Sequence, residues 1–175
     1  ARGHPPVAGQ RPVRQGRWRG VLRDAPEYPP DFTMPTDGGG EVSLSSLKGK
    51  KVVLYFYPKD NTPGCTTESC AFNEALPVFE GLNAEIIGVS KCSVKKHDNF
   101  KAKYGFNFLL ASDENSDVCE HYGTWKEKSM YGKKYMGIER STFLIDEDGR
   151  IAALWRKVKV KGHVDEDIYL NHMLY

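Results

Sequence analysis

The sequence predicts an α/β fold, a mixed central β-sheet flanked by helices on both faces, and three observations carry that expectation. Two runs rich in β-branched and aromatic residues, Lys51–Tyr57 and Ala84–Ser90, have the continuous pattern of strands buried on both faces. Each leads into a stretch of helical spacing, so the order is β, α, β, α. The chain then closes on Ser141–Ile145, turned by Asp146-Glu147-Asp148-Gly149 into Arg150–Val160, which reads as a hairpin. Parallel-type units followed by an antiparallel hairpin require both kinds of pairing in one sheet. With 175 residues, 39% of them hydrophobic, the chain suits one such domain.

Ala1–Arg23 contains six Arg, four Gly, three Pro and no acidic residue, and cannot bury enough surface to offset its ordering entropy. Residues 1–23 are therefore expected to form a disordered basic extension, and 24–175 the folded domain. The extension lacks the apolar core of a secretory signal and the serines of a transit peptide. Without it the chain holds 19 basic against 23 acidic residues, a balance that argues against nucleic acid as a partner of the fold. Apolar runs such as Val52–Tyr57 fall far short of the roughly 18 residues of a membrane span.

From Asp24 onward the elements follow in order. Pro26, Pro29, Pro30 and Pro35 lead to the turn Asp37-Gly38-Gly39-Gly40 and the short stretch Glu41–Leu47, an N-terminal hairpin. Lys51–Tyr57 is the central strand, closed by Pro58. Apolar positions Ala71, Ala75, Leu76, Val78, Phe79 and Leu82 predict a helix over 66–81, kinked by Pro77. After the strand Ala84–Ser90, a second helix spans Val94–Tyr104, capped by Ser93 and ended by Gly105. Phe108–Ala111 reads as a short strand and Ser116–Tyr122 as a short helix.

Four cysteines are too few to staple a chain of this length, so they need another explanation. Cys65, Cys70, Cys92 and Cys119 are separated by 4, 21 and 26 residues, which gives neither a CxxC redox centre nor a zinc ribbon. A zinc site built from three of them with His97 or His121 lacks the usual ligand spacing. Cys65 stands where the central strand hands over to its helix, in Tyr57-Pro-Lys-Asp-Asn-Thr-Pro-Gly-Cys65-Thr-Thr-Glu-Ser-Cys70. In the first helical turn, unpaired backbone N–H groups and the positive end of the dipole favour thiolate over thiol. A strand–loop–helix tip is also a poor place to bury a side chain, so Cys65 is expected to be reactive rather than a packing residue.

Pro58-x-x-x-Thr62-x-x-Cys65 resembles the PxxxTxxC motif of peroxiredoxins, and the stretch as a whole resembles their bacterioferritin comigratory protein, or peroxiredoxin Q, subfamily. The likeness continues through Leu44–Lys50, Trp125–Gly132, Gly137–Ile145 and Lys157–Val160, about three quarters of the chain. It implies a thioredoxin-like fold and a peroxidase. Cys65 would be the nucleophile that takes the terminal oxygen of a hydroperoxide and becomes a sulfenic acid. Thr62 would hydrogen-bond peroxide and thiolate, Pro58 would shield the thiolate from water, and Arg140 would supply a permanent cation. The plainer readings are a turn-capping threonine, a strand-ending proline and a surface arginine.

By the same resemblance Cys70 would attack the sulfenic acid to form an intramolecular disulfide. Positions five apart on an intact helix place their Cα atoms roughly 8.6 Å from each other, whereas a disulfide rarely spans more than about 7 Å. The first helical turns would therefore have to unwind. The implied reductant is thioredoxin or a similar dithiol. Peroxide supplies the oxidising power and thiols the electrons, so no organic cofactor and no metal is expected. A monomer or weak homodimer in a reducing cytoplasm is expected as well. The rivals are a peroxide sensor without rapid turnover and a thiol-disulfide oxidoreductase.

The remaining candidates are ambiguous from sequence. Glu68 either orients the site or complements the dipole. Cys92 is a secondary exposed thiol or inert, Cys119 is expected to be packing, and His97 and His121 are expected at the surface or as caps. Trp125 and Tyr131 are core aromatics or border the active-site mouth.

Overall fold

Six consecutive buried residues make Lys51–Phe56 a strand that only the middle of a sheet can hold. The computed structural model describes residues 26–172, and the basic extension expected over 1–23 lies outside them. The chain runs β1 (Thr33–Pro35), β2 (Glu41–Ser43), β3 (Lys51–Phe56), α1 (Pro63–Gly81), β4 (Ala84–Ser90), α2 (Val94–Tyr104), β5 (Leu109–Ser112), α3 (Val118–His121), β6 (Trp125–Met130), β7 (Lys133–Ile138), β8 (Ser141–Ile145), β9 (Ile151–Trp155) and α4 (His163–His172). The main sheet has the order β5-β4-β3-β8-β9. β3, β4 and β5 are parallel, while β8 pairs antiparallel with both β3 and β9. This is the mixed sheet the sequence predicts. β1 and β2 form the expected N-terminal hairpin, and β6 and β7 form a second one.

Alternation along β3 divides the core. Val53, Tyr55 and Tyr57 pack with Phe72 and Phe79 of α1, Phe100 of α2, and Val164 and Leu170 of α4. Val52, Leu54 and Phe56 pack on the other face with Phe32, Met34, Val118, Cys119, Tyr122 and Phe143. Three helices therefore cover one face, while the N-terminal hairpin and the short α3 cover the other. Gly88 is needed on β4 because a Cβ there would lie 2.9 Å from the Tyr55 ring.

α2 begins and ends as its sequence dictates. Ser93 Oγ accepts the Lys96 N–H at 3.2 Å, and Gly105 takes the left-handed conformation at φ 70. α1 starts at Pro63, three residues earlier than expected, because proline suits the first helical position, and it runs on through Pro77. The β6–β7 hairpin and α4 have no counterpart among the elements expected from sequence.

Candidate active site

The loop from Pro58 to Thr62 leaves the carboxyl end of β3, where an α/β sheet presents its reacting groups. Asn61 sits at φ 60, and its Oδ1 accepts from Tyr104 Oη at 3.1 Å and Lys103 Nζ at 3.3 Å, which ties the loop to α2. Thr62 is the N-cap residue, extended at φ -97 and ψ 154, and its carbonyl accepts the Thr66 N–H at 2.8 Å. Cys65 thus lies in the first turn of α1, among backbone N–H groups without intrahelical partners.

Arg140, between β7 and β8, closes over this turn. One guanidinium nitrogen, Nη2, donates to Cys65 Sγ at 3.3 Å, and Nη1 donates to Glu68 Oε1 at 2.6 Å. Cys65 and Glu68 are three apart on one helix face, so a single planar fork reaches both. Gly64 leaves room for it, since a Cβ there would stand 3.2 Å from Nη2. The Arg140 carbonyl accepts the Val158 N–H at 3.0 Å, and the Glu139 N–H donates to the Thr124 carbonyl at 2.7 Å, fixing the backbone on both sides.

Cys65 is 1% exposed and belongs to the inner core cluster. The expectation that this tip would not bury it is corrected: the cysteine points inward from the helix start, under Arg140. The Cys65 sulfur is therefore buried at a helix N-terminus and in contact with a guanidinium cation. Glu68 is fully buried, and that burial pushes its carboxyl up to about 7 against the opposing pull of Arg140. Burial works against charge on Arg140 too, but Glu68 and Cys65 outweigh it and hold the guanidinium above its ordinary range. Of the two readings of Glu68, the structure supports orientation of the site.

Pro58 and Thr62 lie half-buried in the adjoining loop. The Thr62 hydroxyl donates to the Lys59 carbonyl at 2.9 Å, a turn contact. Cys70 is half-buried against the same core cluster, and burial, followed by the charge of Glu74, pushes its thiol up. All four cysteines are free, and Cys65 and Cys70 share one continuous helix.

The other candidates fall away from this centre. His97 is buried rather than at the surface. Its Nδ1 meets Asp60 Oδ2 at 2.6 Å, its Nε2–H reaches the Ala111 carbonyl at 2.9 Å, and Tyr57 Oη donates to Asp60 Oδ1 at 2.5 Å. These partners let a polar ring enter the core. Cys92 is half-buried, with its sulfur 3.4 Å from the Asp60 amide. Cys119 is packed as expected, and burial pushes its thiol well up. His121 is exposed, 3.4 Å from Asp117. Trp125 packs on the second core cluster under Lys91, and Tyr131 is fully exposed at the β6–β7 turn, so neither is seen at Cys65. Among the described residues no group of three His, Cys, Asp or Glu could hold a metal, and no helix is long and apolar enough to cross a membrane.

Sequence reasoning missed three residues around the centre. Lys128 of β6 feels the charges of Arg140 and Cys65, and burial followed by Arg140 holds its ammonium down. His163 of α4 feels the charge of Arg140, and Asp167 of the same helix feels that of Glu68. A Lys/Glu-rich hairpin and a polar helix carry no pattern that singles these residues out.

Known proteins share this fold and much of this sequence. Residues 27–154 match the model of the AhpC/TSA family. Peroxiredoxin Bcp of Bacillus subtilis is 55% identical over 137 residues, which cover 78% of this chain and 87% of the relative. The bacterioferritin comigratory protein of Xanthomonas campestris, whose structure bears on its alkyl peroxide reduction activity, superposes with a TM-score of 0.76 at 48% identity, covering 80% of this chain and 89% of that one. A cysteine-to-serine mutant of PrxQ from Xylella fastidiosa superposes with a TM-score of 0.76 at 42% identity and covers 95% of each chain. Fold and family match agree, and the chain belongs to the AhpC/TSA family as a thioredoxin-fold peroxiredoxin of the Bcp/PrxQ group, an enzyme of the peroxidase class.

Proposed function

We propose that this enzyme reduces hydrogen peroxide and organic hydroperoxides through Cys65, with Cys70 as the resolving thiol and thioredoxin or a similar dithiol as the external reductant. The observation that carries the reading is the 3.3 Å contact of Arg140 Nη2 with Cys65 Sγ at the start of α1. The Cys65 thiolate attacks the terminal peroxide oxygen and the O–O bond breaks. Sulfur becomes sulfenic acid, and the alkoxide or hydroxide leaves and takes up a proton. Arg140 stabilises the negative charge as it moves from sulfur to the leaving oxygen. Thr62 hydrogen-bonds the peroxide, and Pro58 limits water at the sulfur.

Cys70 then attacks the sulfenic sulfur, an S–S bond forms and water leaves. Because both cysteines lie on one helix, with Cα atoms roughly 8.6 Å apart if it stays regular, this step unwinds the start of α1. The dithiol reductant takes the disulfide by exchange and restores two thiols. The working unit is a monomer or weak homodimer, and its free reactive thiols fit a reducing cytoplasm.

The test is a thiol titration with peptide mapping after one equivalent of hydrogen peroxide is added to the fully reduced chain. A fall from four free thiols to two, with Cys65 joined to Cys70, supports the mechanism. Loss of a single thiol removes Cys70 from it, and no loss removes Cys65. Turnover with a thioredoxin system then separates the enzyme cycle from a sensor that is oxidised once.

A further inference from the structure

The loop between β3 and α1 carries Pro58 and Thr62, yet among the described residues no backbone–backbone hydrogen bond ties residues 58–61 to the sheet or to α2. Side chains hold it instead. Asn61 does so from the exposed side, through Tyr104 and Lys103. On the inner side Asp60 turns its carboxyl into the core, leaving the residue 8% exposed. Its Oδ1 accepts the Tyr57 phenol at 2.5 Å, its Oδ2 meets His97 Nδ1 at 2.6 Å, and its own amide reaches Cys92 Sγ at 3.4 Å. Tyr57 belongs to the inner core cluster, and His97 is fully buried in the first turn of α2, where its amide is bonded to the Ser93 carbonyl. The loop is thus pinned at its middle residue, two positions from Pro58 and two from Thr62.

Hydrogen-bond accounting defines the ring. The Ala111 carbonyl of β5 stands 2.9 Å from Nε2 and can only accept, so Nε2 carries hydrogen. The contact of Nδ1 with Oδ2 needs a hydrogen of its own, and an imidazole nitrogen binds a proton more tightly than a carboxylate does. Asp60 is the sole acidic residue lining the groove that Lys59, Lys96 and Lys103 border, so no second carboxylate there competes for it. A carboxylate that takes one hydrogen bond from a phenol and one from a ring cation is a charge-assisted anchor, stronger than a neutral contact. We propose that His97 is a positioning residue for peroxide reduction: with hydrogen on both ring nitrogens it spans Ala111 and Asp60, and through Asp60 it holds the Pro58–Thr62 loop in the place that the reaction at Cys65 needs. The catalytic meaning rests on the roles of Cys65, Thr62 and Pro58 proposed above; the clamp itself does not.

Two near-isosteric variants separate the two bonds of the ring. Asparagine at 97 places a donor where Nδ1 stands and glutamine one where Nε2 stands, so His97→Asn keeps the bond to Asp60 and His97→Gln only the bond to Ala111. In the reduced full-length chain, stopped-flow oxidation of Cys65 by hydrogen peroxide is expected to slow about 10- to 100-fold in His97→Gln and to stay within about threefold of wild type in His97→Asn. Amide exchange over 60–62 rises in the first and not in the second. Equal rates in the two variants overturn the proposal, because a residue that only fills the core does not distinguish the two donors. Nitrogen-15 NMR of the wild-type ring at pH 7 should show hydrogen on both nitrogens, and Asp60→Ala should remove it from Nδ1; a wild-type ring with one bare nitrogen defeats the proposal as well. Should His97→Gln not fold, Asp60→Ala, which frees the loop from Tyr57 and His97 together, must show the same rise in exchange and loss of rate, and unchanged values sink the clamp. If wild-type Cys65 fails to react with peroxide, the reading of the site falls, while the nitrogen spectrum and the exchange of 60–62 still decide the clamp.

Discussion

Removing the cation from Arg140 should slow the reaction of Cys65 with peroxide by a factor the geometry sets. The guanidinium lies 3.3 Å from Sγ and its side chain is 15% exposed. At an effective dielectric of 20, a full thiolate and the guanidinium at this distance attract by about 5 kcal/mol. Sharing with Glu68 and the burial of Arg140 offset part of this, and a charge-assisted hydrogen bond nets about 1.5–3 kcal/mol. That corresponds to about 10- to 150-fold in rate at fixed pH.

Arg140→Met alone would confuse two effects, because it also strands the buried Glu68 and costs about 3–5 kcal/mol of stability. The double variant Glu68→Gln, Arg140→Met separates them. Stopped-flow loss of the Cys65 thiol in excess peroxide is compared across the wild type, both single variants and the double variant, with equilibrium unfolding of each. Both Met variants should lose the same rate factor, while only the single Met variant carries the full stability loss. A double variant that reacts within about threefold of Glu68→Gln would refute the role of Arg140 at the sulfur.

Glu68 also makes stability depend on pH. Its carboxyl is raised from 4.5 to about 7, chiefly by burial, so the folded chain keeps a proton that the unfolded chain loses. The contribution is full below pH 4.5 and is lost as pH rises through about 7, so the gap between wild-type and Glu68→Gln stability in urea unfolding should fall by about 3 kcal/mol over that window. Gly88→Ala drives a methyl to 2.9 Å from the Tyr55 ring and 3.0 Å from Leu110, and should cost about 1–3 kcal/mol by the same assay. Formation of the Cys65–Cys70 disulfide should raise amide exchange over 66–70 while β3 and β4 stay protected; unchanged protection in the disulfide form would contradict the unwinding step.

The parts of the fold that can be read from sequence are those where one local cause dominates. β3 announces itself by unbroken burial, β4 by burial interrupted only at Glu85, and α2 by the Ser93 cap and Gly105. The β6–β7 hairpin hides because it is largely solvent-exposed, so no apolar alternation marks it. Its turn residues, Tyr131 at φ 52 and Gly132 at φ 79, take the positive-φ pair of a tight hairpin without the Asn-Gly or Asp-Gly that signals one. α4 hides for a different reason: Asp167 and Asn171 occupy buried positions and interrupt the spacing of Val164, Ile168 and Leu170. At the site, Cys65 and its strand–helix setting are legible. Its partner Arg140 stands 75 positions away and is reached only through the resemblance. The pairing of His97 with Asp60, 37 positions apart, leaves no trace in the sequence at all.

The burial of Cys65 and the proposed unwinding of its helix belong to one design. The polar contacts on the inner face of the first α1 turns are Arg140 to Cys65 and Glu68, and Ser69 Oγ to Tyr55 Oη at 2.8 Å. Pro63, Gly64 and Thr67 face solvent, and Pro63 has no amide hydrogen to lose. Oxidation of the thiolate to sulfenic acid removes the charge that Arg140 holds, so the reaction itself weakens the contact that keeps the turn folded. Glu68 and Ser69 lie between the two cysteines and must leave Arg140 and Tyr55 when the turn opens. A stiffer start to α1 would hold the sulfur equally well for peroxide but would keep Cys70 out of reach. Position 64 makes the same point: a side chain there would lower the freedom of the open turn, yet it would also displace the guanidinium that lies 3.2 Å from where its Cβ would stand. Glycine satisfies both demands, the approach of the cation in the folded form and the freedom of the chain in the open one.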